Sequence, residues 1–158
     1  MSRIVFIDTE VDIDTGKVCD YGAVDSDNRQ VHTHLEGEFS DFIAGNKFIC
    51  GHNILNYDLK YIENAVDRSG ISYAVDTLFL SPLLFPNRPY HALLKDDKLQ
   101  TGELNSPLND SIKAKELFYD EVNAFEALDD TLKNIFCSFL YEQKEFYGFF
   151  TSCMPVTV

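Results

Sequence analysis

The segment IVFIDTE, residues 4–10, constrains the fold most, because its four apolar residues are followed at once by two acids. The apolar run predicts a buried strand. Side chains two apart in a strand face the same way, so Asp8 and Glu10 should project side by side. Adjacent carboxylates repel each other, and a divalent cation such as Mg²⁺ relieves that repulsion. The segment predicts a metal site; the alternative is an exposed charged loop, since Asp12 and Asp14 follow.

The hydrophobic pattern of the remaining chain predicts an α/β fold. We expect strands at residues 3–9, 18–25, 29–35, 47–51 and within 71–78. We expect helices at residues 41–44, 55–68, 92–97, 108–127 and 130–150, with a loop and short helix at 81–91 and no element at 151–158. Antiparallel strands followed by strand–helix–strand predict a mixed five-stranded sheet flanked by helices. A length of 158 residues suits a single domain, residues 1–158.

The charge balance is strongly acidic: 26 acidic residues stand against 13 basic ones, a net charge of −13. A protein that grips nucleic acid by its phosphates usually has a basic face. Nucleic-acid binding by this chain would therefore depend on metal ions, on a local basic patch or on another domain. The sequence has neither a long apolar run nor a signal-peptide pattern, so we expect a cytoplasmic protein without a membrane span.

The four cysteines are dispersed and form no C-x-x-C pair, which argues against a zinc site. Cys19 and Cys50 lie in apolar, strand-like segments. We expect both to be buried free thiols.

Two further segments carry candidate site residues. In GHNILNYD, residues 51–58, a strand leads into a helix, so His52 and Asn53 should lie where open α/β sheets place ligands. Asp58 should fall in the first helical turn, and Asp110 in NSPLNDSIKAKELF should open a long amphipathic helix. Each also has an ordinary structural interpretation: the acids as first-turn residues favoured by the helix dipole, the His and Asn as structural polar groups.

Taken in order, FIDTE, GHNILNYDLKYI and NSPLNDSIKAKELF resemble the motifs of the DnaQ-like, or DEDD, 3′–5′ exonucleases of the ribonuclease H-like fold. That family carries D-x-E on the first strand, an H-N-x-x-x-x-D-type segment at a strand-to-helix junction and a final Asp on a late helix. DYGAV, AVDTL and YHALLKDDKL look like its second-strand and connecting segments. The resemblance covers roughly residues 3–127.

The resemblance implies hydrolysis of phosphodiester bonds at nucleic-acid 3′ ends, most simply single-stranded DNA, with two Mg²⁺ or Mn²⁺ ions. By position, Asp8, Glu10 and Asp110 would hold the ion that carries the attacking water. Asp8 would bridge to the second ion, and Asp58 would support it. Thr9, His52 and Asn53 would contact substrate. An RNA-directed exonuclease of the same fold is a third interpretation.

The sequence departs from the family at the general base. The family places a His five residues before the last Asp, or a Tyr four residues before it; here these positions hold Asn105 and Ser106. Asn can orient a water but cannot take its proton near neutral pH. Three explanations stay open: an inactive module, cleavage by the metals with Asn105 positioning the water, or substitution by His91.

The late segment also resembles exonuclease-like domains that are joined to RecQ-type helicases in bacteria. This resemblance implies that the chain is part of a longer protein, with a fused or associated helicase supplying most of the DNA affinity. Residues 128–158 would then belong either to the core or to an interface.

Overall fold

A computed structural model describes residues 3–93 and 106–153. It contains one mixed five-stranded sheet of order β3-β2-β1-β4-β5. The strands are β1 Ile4–Val11, β2 Val18–Asp25, β3 Gln30–Thr33, β4 Phe48–Gly51 and β5 Tyr73–Asp76. The first three strands are antiparallel, whereas β4 runs parallel to both β1 and β5. The predicted mixed five-stranded sheet, with its first three strands antiparallel and helices beside it, is confirmed.

The central position of β1 follows from its apolar start. Val5, Phe6 and Ile7 are fully buried, because helices cover both faces of the sheet. Successive side chains of β1 point to opposite faces of the sheet. Phe6 packs in one hydrophobic cluster with Phe118, and Val5 packs in the other with Phe39. Each face of β1 thus has its own core.

Helices form a layer on each side of the sheet. The helices are α1 Glu36–Ile43, α2 Glu63–Ser69, α3 Thr77–Leu84, α4 Pro107–Glu126, α5 Asp130–Leu140 and α6 Tyr147–Cys153, with a 3₁₀ turn at Asp58–Tyr61. Helices α1 and α2 cover the Val5 face, and α4 and α6 cover the Phe6 face. Among the helices in the described part of the chain, none is long and apolar enough to cross a membrane.

Several helix predictions were wrong in extent. The helix expected at residues 55–68 is a 3₁₀ turn followed by the shorter α2. Before this turn the chain forms a loop, in which Asn53 has a left-handed φ of 66°. The Leu55 amide in this loop donates to the Asp76 carboxylate (3.0 Å), which ties the loop to the end of β5.

The helix expected at 130–150 is divided into α5 and α6, and α6 continues to Cys153, where no element was expected. After the break, α6 packs so close to β5 that a Cβ on Gly148 would overlap the Ala74 carbonyl. Residues 154–158 lie outside the described residues.

The remaining differences are local. Helix α1 begins at Glu36, earlier than the expected 41–44, and α3 extends over Thr77–Leu84. Ala92 and Leu93 are not helical, and the rest of the helix expected at 92–97 lies outside the described residues. Cys50 is buried as expected, but Cys19 is exposed; all four thiols are free.

Candidate active site

Four acids from three distant segments of the sequence line one cavity of about 340 Å³. The cavity lies where β1 passes the carboxyl ends of β4 and β5, the edge where open α/β sheets place ligands. Its lining residues are Asp8, Thr9, Glu10, His52, Asn53, Tyr57, Asp58, Ala92, Leu93 and Asp110. Seven of the eight residues predicted for the site therefore meet here, and the eighth, Asn105, lies outside the described residues.

Asp8 and Glu10 lie near the end of β1, which continues to Val11, two residues beyond the expected strand at 3–9. Their even-numbered positions continue the face of Phe6, which packs under α4. Both side chains therefore project toward the layer that carries Asp110. Strand pairing places Asp8 opposite Gly22 on β2, and a bulge between Glu10 and Val11 ends the regular ladder.

Asp110 occupies the first turn of α4 and is buried. Its amide donates to the carbonyl of Ser106 (3.1 Å), which closes the first turn of the helix. The unpaired amides at a helix N-terminus favour negative charge, so this position suits a carboxylate. The sequence correctly placed Asp110 at a helix start.

Asp58 reaches the cavity from the opposite layer and is 2% exposed. Its Oδ1 accepts hydrogen bonds from the Thr9 amide (3.0 Å) and the Thr9 hydroxyl (2.6 Å). Burial raises the pKa of the Asp58 carboxyl to about 6, and the two Thr9 hydrogen bonds oppose that rise. A cation in the cavity would favour the ionised form further.

Asp76 organises the rim of the cavity, and sequence analysis missed it. Its carboxylate accepts from the amides of Asn53 (2.7 Å), Leu55 (3.0 Å) and Leu78 (3.0 Å). It thus ties the loop after β4 to the start of α3. The available signal was Asp-Thr between a strand and a helix, the pattern of an N-cap.

His52 and Asn53 take their positions from this loop. The His52 Nδ1 lies 2.9 Å from the Thr77 hydroxyl. Burial lowers the pKa of the His52 imidazole to about 4, so the ring is neutral near pH 7. The positive φ of Asn53 is one that Asn tolerates better than most residues.

Tyr57 also lines the cavity, although no motif in the sequence singled it out. Desolvation raises the pKa of its phenol, and the neighbouring Tyr61 and site acids add to the rise. The phenol therefore stays protonated near pH 7 and can donate a hydrogen bond, but not serve as a base. His91 instead hydrogen-bonds to Ser81 (2.8 Å) and lines a neighbouring cavity.

The donor chemistry of the cavity fits a hard divalent cation. Its acids supply carboxylate oxygens, the ligands that Mg²⁺ and Mn²⁺ prefer. Within residues 3–93 and 106–153, no three His, Cys, Asp or Glu side chains are already gathered tightly enough to hold an ion. Asp8, Glu10, Asp58 and Asp110 would have to draw together around an ion.

A scan against models of known protein families and a search of curated proteins both gave no match. One solved structure with a similar chain is a family B DNA polymerase from the hyperthermophilic archaeon Pyrobaculum calidifontis. The identity is 15% and the TM-score 0.44; the alignment covers 94% of this chain and 26% of the polymerase chain. The chain thus spans about a quarter of the polymerase, and the fold description rests on the strand order and directions given above.

Proposed function

We propose that this chain is a two-metal-dependent exonuclease domain that hydrolyses phosphodiester bonds at DNA 3′ ends. The observation that carries the proposal is the convergence of four acids, from β1, the 3₁₀ turn and α4, on one cavity. A chain without a use for these acids would gain stability by separating them, since like charges in one cavity repel. The same acids match the order of the exonuclease motifs.

Each acid has a defined task in the proposed reaction. Asp8, Glu10 and Asp110 would hold the ion nearest the attacking water, and Asp8 and Asp58 the ion nearest the leaving oxygen. When bound, the two ions would lower the pKa of a bound water and stabilise both oxygens of the displacement. Thr9 keeps the Asp58 carboxylate oriented through its two hydrogen bonds.

The general base that would take the proton of the attacking water is lacking at the positions where the family has it. Asn105 and Ser106 stand at the family's base positions and cannot accept this proton near pH 7. Loss of a general base typically costs about 10²–10⁴-fold in rate. We therefore propose a slow nuclease that works without a general base from the protein at these positions.

Asn105 favours a second candidate function: an inactive module of the same fold that positions a linked RecQ-type helicase. In that case the acids would bind metal without cleavage, and the acidic chain would rely on the helicase for DNA affinity. A cytoplasmic location and a single domain over residues 1–158 belong to both proposals.

The two functions are separated by incubating the chain with 5′-labelled single-stranded DNA and Mn²⁺. The nuclease predicts a ladder of 3′-shortened products that disappears with Asp8→Asn or Asp110→Asn. Asp14→Asn is the matched control, because it removes the same charge from an exposed position near β1. An RNA strand of the same sequence tests the choice of substrate.

The inactive module predicts no products from the native chain and new products from Asn105→His. Products that persist in Asp8→Asn would refute the two-metal proposal. No products from either the native chain or Asn105→His, with no Mn²⁺ binding, would refute both.

A further inference from the structure

A second, larger cavity of about 560 Å³ adjoins the candidate active site. The two cavities share Ala92 and Leu93 as wall residues. The larger one is otherwise bounded by the chain after α3 and by the exposed side of α4. A ligand lying in the active-site cavity could therefore continue into it without leaving the surface.

One wall is a continuous stripe of α4. Lys113, Leu117 and Asp120 recur at helical spacing, and Asp110 lies one turn before them on the same side. With about 1.5 Å of rise per residue, Leu117 lies roughly 10 Å along the helix from Asp110. A few nucleotides span that distance.

The opposite wall is the segment Arg88–Leu93, which is held against α3. The His91 Nδ1 lies 2.8 Å from the hydroxyl of the buried Ser81. The Arg88 amide donates to the Phe85 carbonyl (3.1 Å), and the Arg88 guanidinium lies 3.9 Å from the centre of the Phe85 ring. Between these contacts, Tyr90 lines the cavity and is 83% exposed, so its ring is accessible to a ligand.

We propose that this cavity binds a nucleotide of the single strand whose 3′ end lies among the site acids. The inference rests on the proposed function and deepens it. Tyr90 and the apolar wall would stack a base, and Arg88 and Lys113 would contact the adjoining phosphates. Arg88 and Lys113 place positive charge beside the site acids in a chain whose net charge is −13. Stacking on a ring accepts any base, so the cavity would favour single strands over a particular sequence.

A nucleotide suits this cavity better than a peptide, because the cavity lies next to the proposed site of phosphodiester hydrolysis. The cavity adjoins the cavity of the site acids at Ala92 and Leu93, which line both. A strand fixed only at its last phosphodiester bond would need a second contact to be oriented for in-line attack. The charges also suit a nucleotide: cations meet phosphates, and Glu116 and Asp120 can accept hydrogen bonds from base amino groups.

Tyr90→Ala tests the proposal by fluorescence anisotropy with a labelled oligodeoxythymidine octamer, in Ca²⁺ to suppress cleavage. Loss of one stacked base should weaken binding roughly 5- to 100-fold. Tyr90→Phe should bind like the native chain, because it keeps the ring. Phe139→Ala is the matched control, since it removes an equally exposed aromatic side chain (75%) from α5.

Abasic octamers locate the stacked base. A single abasic position should weaken binding to the native chain at one place near the 3′ end and have no further effect on Tyr90→Ala. Equal binding by native chain, Tyr90→Ala and Phe139→Ala would overturn the cavity proposal and leave the nuclease intact. No binding of the octamer by the native chain, together with no cleavage in Mn²⁺, would overturn both.

Discussion

Glu121 is the most unusual single residue of the chain. Its side chain is fully buried in α4, and neither carboxyl oxygen has a hydrogen-bond partner within the part of the chain that the structure describes. Burial raises the pKa of the carboxyl to about 9, and the nearby Asp76 adds to the rise. Glu121 is therefore a neutral acid near pH 7, held in the core without forming part of the candidate site.

Glu121 should make the folded state less stable as pH rises. Between its unfolded pKa of 4.5 and its folded pKa of about 9, the folded chain holds a proton that the unfolded chain has lost. The free energy of unfolding then falls by up to about 1.4 kcal/mol per pH unit. In Glu121→Gln this contribution is absent, so the variant should gain at most about 4 kcal/mol relative to the native chain between pH 5 and pH 8.

Urea unfolding of both proteins at pH 5, 6.5 and 8 measures that difference directly. Asp58, whose pKa is also raised by burial, titrates in both proteins and cancels from the difference. A difference that stays constant across this range would show that the Glu121 carboxyl is charged or paired in the folded state.

Single residues also show what the sequence could and could not predict. Asp8, Glu10 and Asp110 were predictable because each is marked by a local element, a strand face or a helix start. Glu121 was not, because an acid in an amphipathic helix normally faces water. Asp76 was missed for a related reason: two of its three amide partners, Asn53 and Leu55, lie in the distant loop after β4.

At the scale of elements, the approach of α4 to β2 brings the acids together. Gly22 pairs with Asp8 across the β1–β2 ladder, and the start of α4 passes directly over it. A Cβ at Gly22 would overlap backbone atoms of Pro107 and Leu108. The missing side chain therefore lets the first turn of α4 place Asp110 beside Asp8.

Gly22→Ala should consequently displace the start of α4 and with it Asp110. Because the overlap is with backbone, it cannot be relieved by a rotamer change, and we expect a loss of about 1–3 kcal/mol in unfolding free energy. Loss of metal-dependent cleavage should accompany it. Gly37→Ala is the control: it lies in α1 with nothing near its added Cβ, and should be neutral or stabilise by up to about 1 kcal/mol.

Thermal unfolding and the nuclease assay, applied to Gly22→Ala and Gly37→Ala, test whether the close contact at Gly22 is needed. A Gly22→Ala protein as stable and active as Gly37→Ala would mean that α4 reaches Asp8 without needing the close contact. The contact itself was not foreseeable, since a glycine in a β-strand is compatible with bulges, bends and close approach alike.

Element boundaries show the same division between local and tertiary causes. The five strands were predicted because their apolar runs or period-two alternations are short and bounded by turn residues. The helices expected at 55–68 and 130–150 were wrong in extent, and distant groups contact both segments: the Asp76 carboxylate accepts from the Leu55 amide, and Gly148 packs on β5. Periodicity reports a buried face, but not where tertiary contacts interrupt it.

At the scale of the whole molecule, the net charge of −13 opposes both the compact fold and the approach of DNA. Cations bound among the site acids would reduce both costs at one place. Metal ions can stabilise the protein in two ways, by binding in the cavity or by screening the acidic surface in general. Only binding in the cavity depends on the four site acids.

Mn²⁺ should therefore stabilise the native chain through the site. At about a hundred times the dissociation constant, one bound ion contributes about 2.7 kcal/mol, or roughly 5–10 °C in Tm for a chain of this size. Asp8→Asn/Asp110→Asn should lose most of that shift. Asp14→Asn/Asp67→Asn should keep the shift, because this double variant loses the same charge from exposed positions.

Removal of metal should reverse the order of the Tm values. In EDTA, Asp8→Asn/Asp110→Asn should melt above the native chain, since two repelling carboxylates are gone. Scanning calorimetry in Mn²⁺ and in EDTA measures both effects, and equal Mn²⁺ shifts in the two double variants would show that screening alone is at work.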